Sequence, residues 1–174
     1  MDDRVGHGQR KRAAQPAVSV TNTRAATSEW TLWVVAASCA AHATEELFTG
    51  WQQWARQALG ISMPTSIFVV MNVVLTIAAL AFARGGWRRP AISLIIPTAT
   101  LVNALAFHIA PTFIQRQVSP GLYTAVLLYL PFSSWALVGA ARDGVPRTAI
   151  LTGVVAGIIV ALGVVAAARQ FSGA

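Results

Sequence analysis

The sequence predicts an all-α polytopic membrane protein, a bundle of five transmembrane helices, and three observations predict it. First, 55% of the 174 residues are hydrophobic and only 11% are charged, with a mean hydropathy of +0.58, which is the composition of a membrane-embedded chain. Second, five apolar runs of about 20 residues follow one another, each long enough to cross ~30 Å of hydrocarbon. Third, Lys and Arg are abundant and scarce by turns in the successive connecting segments, the pattern that sets membrane orientation. No period-two alternation extends through the runs, which argues against a β-barrel.

Residues 1–28 form a polar arm with Arg4, Arg10, Lys11, Arg12 and Arg24, and with no apolar centre for a cleavable signal. The arm reads as a disordered cytoplasmic tail, and His7 within it lies away from any site. Residues 29–174 are read as the transmembrane domain, with runs at Trp30–Gly50, Pro64–Ala83, Pro90–Ala110, Gly121–Ala141 and Thr148–Ala168. Arg84, Arg88 and Arg89 follow the second run, and Arg142 and Arg147 follow the fourth. The other ends carry only Arg56, Arg116 and Arg169. This alternation puts the N-terminus in the cytoplasm and the C-terminus outside, as expected in a bacterial plasma membrane.

Local signals refine the runs. Trp51, Trp54 and Trp87 are placed as interfacial anchors. Ser119-Pro120 supplies a capping hydroxyl and a first-turn proline for the fourth helix. Pro97 and Pro131 fall inside runs and are expected to bend them. Gly153 and Gly157 give the fifth run a small face, suited to tight helix packing or to a homodimer. Cys39 is the only cysteine, so no intrachain disulfide exists. The formal charge of +7 sits in clusters beside apolar runs, so it indicates orientation in a bilayer and not a nucleic-acid partner.

Chemistry concentrates in Ala41-His42-Ala43-Thr44-Glu45-Glu46, inside the first run. On a helix Glu45 and Glu46 lie three and four residues after His42, so both carboxylates share its face. One ionised residue at mid-membrane costs ~2.5–3.5 kcal/mol, so these groups must face a protein-lined cavity, find partners or hold a proton. A rise of ~1.5 Å per residue places His42 ~18 Å and Glu46 ~24 Å above the cytoplasmic end of their run. On the same measure Asn103 stands at ~20 Å and His108 at ~27 Å, and Asn72, Tyr123 and Tyr129 fall in the same layer. Asn103 and His108 are five residues apart, ~140° around a straight helix, so they share one pocket only if the helix is distorted. Pro111 is placed to loosen that turn at Phe107.

His42-x-x-Glu45-Glu46, followed by Asn103 and His108 and by Ser119-Pro120-Gly121-Leu122-Tyr123-Thr124, resembles the bacterial HXXEE-motif integral membrane proteins, over roughly Trp30 to Ala141. That resemblance implies membership of a family and no particular reaction. A looser likeness, at the level of the fold, is to five-helix sterol isomerases of the emopamil-binding type, which also pair a membrane histidine with a glutamate one turn on. Integral-membrane terpene cyclases likewise use buried carboxylic acids.

Several functions follow as expectations. The first is acid–base isomerisation or cyclisation of an apolar lipid or isoprenoid-like substrate, without a cofactor. Glu46 is then the proton donor, His42 orients or relays, and Glu45 and His108 complete the catalytic set. Asn72, Asn103, Phe107, Tyr123, Tyr129 and Trp33 are the candidate substrate-binding residues, the aromatic faces being suited to stabilising a carbocation. The second is a zinc or iron site with His42, Glu45, Glu46 and His108 as ligands. A proton relay or transporter and a purely structural polar brace complete the set. No phosphate-binding glycine loop and no Ser or Cys nucleophile arrangement is present.

Overall fold

Glycine and proline decide where this chain changes direction. The computed structural model describes residues 27–170; the expectations for the basic tail before Thr27, His7 included, lie outside them. The described residues contain six helices: α1 Trp30–Thr49 and α2 Trp51–Leu59, then α3 Thr65–Arg88, α4 Pro90–Gln115, α5 Leu122–Arg142 and α6 Arg147–Gln170. All five predicted runs are helical, yet only α3 to α6 are both long and apolar enough to cross a membrane. The 20 residues of α1 have the length, but His42, Glu45 and Glu46 dilute its apolar character. The expected count of five is therefore corrected to four such helices plus α1 and the short α2.

The extra helix arises at Gly50, whose left-handed φ of 83° ends α1 while its N–H bonds the Glu46 carbonyl. The chain restarts as an amphipathic helix with Trp51, Trp54, Ala55 and Ala58 on one face and Gln53, Arg56 and Gln57 on the other. Trp54 and Ala55 are buried with Ile61, Met63 and Phe68, and the Trp51 ring lies 5.2 Å from that of Phe68. These tryptophans thus pack inward and are not free interfacial anchors.

Proline disturbs α4 and α5 in a regular way. Pro97 has no N–H for the Ser93 carbonyl, and the helix shows a turn at Leu94. Widened π turns occupy Ala104–Ile109 and Ala125–Tyr129. Each ends two residues before a proline, Pro111 or Pro131. The wider turn draws the carbonyl four residues back away from the ring it would otherwise strike.

α1 packs between α3 and α5, and α4 packs on α5 and α6. A Cβ at Gly153 would lie 2.8 Å from the Ala91 carbonyl oxygen, and one at Gly157 would lie 2.6 Å from that of Ile95. The glycine face of α6 is therefore spent on close approach to α4 within the chain. Opposite the site, Asp143 in the α5–α6 turn accepts hydrogen bonds from Thr27 Oγ1 (3.1 Å), Ser28 N (2.8 Å) and Trp87 Nε1 (2.9 Å). Glu29 accepts from Trp87 N at 2.5 Å. Trp87 is thereby held by two carboxylates, and Thr27 and Ser28, read as the last of the tail, belong to the folded bundle.

Candidate active site

α1 supplies His42 and Glu46, one helical turn apart on its inner face, and the π turn of α4 supplies His108. All three side chains are buried. Glu46 Oε1 lies 3.6 Å from His42 Nε2 and 3.5 Å from His108 Nε2. The two imidazole rings meet edge to face with centroids 4.7 Å apart, and the Tyr129 ring lies 4.5 Å from that of His42. Neither Nε2 has a hydrogen-bond partner.

The opposite ring nitrogens are held by hydroxyls. His42 Nδ1 is 2.8 Å from Thr124 Oγ1, and His108 Nδ1 is 3.1 Å from Ser119 Oγ. Thr124 Oγ1 donates to the Gly121 carbonyl (3.3 Å) and Ser119 Oγ to the Pro120 carbonyl (3.2 Å). Where the hydroxyl hydrogens are used in this way, both hydroxyls accept from the rings, the imidazole hydrogens sit on Nδ1, and two Nε2 lone pairs converge on one carboxylate. Gly121 covers the cluster at φ 88°, and a Cβ there would lie 2.9 Å from Glu46 Cγ and from Cε1 of both histidines.

Glu45 does not join the cluster. Its carboxylate oxygens accept from Tyr123 N (3.2 Å) and Thr124 N (2.8 Å), so it caps the first turn of α5. Ser119, expected as that cap, is turned to His108 instead, and α5 begins at Leu122 behind Gly121. Tyr123 points outward and is 64% exposed; Trp33, 47% exposed, also lies away from the site. Neither of these two expected substrate-binding residues lines the cavity beside the cluster.

The remaining candidates meet. A cavity of about 140 Å³ has His42 and Glu46 on its wall together with Asn72, Asn103, Phe107 and Tyr129. Asn103 and Phe107, four residues apart, share one face of α4, and the π turn brings His108 round to the cluster despite its ~140° mismatch with Asn103 on a straight helix. Asn72 Nδ2 donates to the Phe68 carbonyl at 3.0 Å, whereas Asn103 Oδ1 is buried without a partner. The other walls are largely apolar: Leu59 at the end of α2, Ile61 and Met63 beyond it, Met71 and Leu75 on α3, and Val160, Val164 and Val165 on α6.

The model of the family described as "Protein of unknown function with HXXEE motif" matches residues 33–136, more than half of the chain. The chain belongs to this HXXEE family. No curated protein and no solved structure matches it. In this HXXEE protein the motif residues are His42, Glu45 and Glu46, and the geometry gives the two glutamates separate tasks. The matched region also holds His108, Ser119, Gly121 and Thr124. Sequence reasoning assigned Ser119 and Thr124 no place beside the histidines, and gave Gly121 only a place in the motif. The usable signal was Gly121 after Pro120, since glycine takes a left-handed φ at no steric cost and leaves room for a loop to close over packed side chains.

Proposed function

We propose that this HXXEE protein is an integral membrane acid–base enzyme that isomerises or cyclises an apolar lipid or isoprenoid-like molecule. The observation that carries the reading is the titratable cluster at one end of a mostly apolar cavity. Glu46, as a carboxylic acid, adds its proton to an alkene carbon and leaves a carbocation. An imidazole Nε2 removes a proton from a neighbouring carbon, and that proton returns to Glu46 across the 3.5–3.6 Å separation. No electrons are exchanged, and the site is restored. The faces of Phe107 and Tyr129 stand beside the path of the cation. In this reading α1 is a fifth span, with the N-terminus cytoplasmic and the C-terminus outside.

The test is solvent isotope uptake. Purified protein incubated in deuterium oxide with an isoprenoid lipid extract is expected to label one lipid class, measured by mass spectrometry. Glu46→Gln, with its helical circular dichroism unchanged, is expected to label none; equal labelling by that variant would remove Glu46 as the donor.

A further inference from the structure

We propose that His42 Nε2, His108 Nε2 and Glu46 Oε1 bind one divalent first-row metal ion, with zinc favoured by the donor set. One ligand atom from each of the three residues lies within 4.8 Å of the others, and all three residues are buried. Zinc bonds to nitrogen and carboxylate oxygen at about 2.0–2.2 Å, which sets tetrahedral ligand separations near 3.4 Å. Two of the three edges are already 3.5 and 3.6 Å, close to that separation.

Three features separate this arrangement from a polar brace. Both Nε2 atoms are buried without partners, whereas a brace pairs donors with acceptors. Both rings are oriented through Nδ1 by hydroxyls, the outer-shell support that metal-bound histidines receive. His42 and Glu46 also face the cavity, which leaves a position open to a bound molecule. Two imidazoles, one carboxylate and an open position make up a catalytic zinc set.

Binding itself does not depend on the acid–base reading, but its consequence does. An ion on Glu46 replaces the proton that this carboxyl would deliver, so occupancy and Glu46-driven labelling exclude each other.

The experiment uses the full chain in detergent, stripped with a chelator and titrated with Zn²⁺, with bound metal measured by elemental analysis. Uptake of about one equivalent is expected, and His42→Ala, His108→Ala and Glu46→Gln are each expected to abolish it. Cys39→Ala and His7→Ala should leave uptake unchanged. Co²⁺ loaded into the unaltered chain should give the intense visible absorption of a tetrahedral ion, a readout that requires no variant to fold. No uptake by the unaltered chain, or uptake surviving loss of all three ligands, would overturn the site. Zinc that binds and suppresses isotope labelling agrees with both proposals; zinc that binds and stimulates it keeps the site and removes Glu46 as the proton donor.

Discussion

At Gly121 a hydrogen occupies the place where a methyl group would press on both imidazoles and on Glu46. Gly121→Ala therefore adds about 1–2 kcal/mol of left-handed backbone strain to about 1–3 kcal/mol of overpacking. It is expected to lower the melting temperature and to abolish zinc uptake together, measured by thermal circular dichroism and metal titration. Thr124→Val keeps the shape but removes the hydroxyl bonded to His42 Nδ1, and uptake should weaken by about 10–100-fold. The adjacent glutamates separate cleanly by experiment. Glu45→Gln disturbs the α5 cap and is expected to destabilise the fold by about 0.5–2 kcal/mol while zinc uptake persists; Glu46→Gln does the reverse. The four-residue spacing made the His42–Glu46 pair legible in the sequence, since local helix geometry alone sets it. The fate of Glu45 was not legible, because its partners are backbone N–H groups of a helix nearly 80 residues later.

The π turns are the elements that aim α4 and α5. Asn103 and His108 conflict on a straight helix, and the sequence shows that conflict without its remedy. The remedy is tied to proline, since each wide turn ends at the same distance before one. Pro111→Ala restores an N–H that can bond the Phe107 carbonyl and lets α4 close to ordinary α geometry. Zinc uptake is then expected to fall while the melting temperature does not, because His108 swings off the cluster as the helix gains a hydrogen bond. α2 went unread for a related reason: nine residues between two left-handed glycines are too few to show a period against the apolar run before them.

Across the whole molecule, polar ties at the two ends frame an apolar middle. At the far end Asp143 joins the start of α1, the end of α3 and the α5–α6 turn. Partial burial raises its pKa, but hydrogen bonds from Trp87, Ser28 and Thr27 outweigh that and hold the carboxyl below the ordinary carboxylate range. A group lowered in the folded state stabilises above its unfolded pKa and loses that contribution as pH falls through the folded value. The melting-temperature gap between the unaltered chain and Asp143→Asn should thus hold at pH 7 and 5 and close below about pH 4. Nearer the cluster, Ala161 faces the cavity from α6. Ala161→Trp is expected to fill the space and stop isotope labelling while leaving zinc uptake intact. α6 also lies wholly beyond the region shared with the family, which ends at residue 136. In the proposed reading, the acid–base cluster and one wall of its cavity are thus encoded in different parts of the chain, so a relative could exchange its last helix and acquire a new appetite while keeping the same teeth.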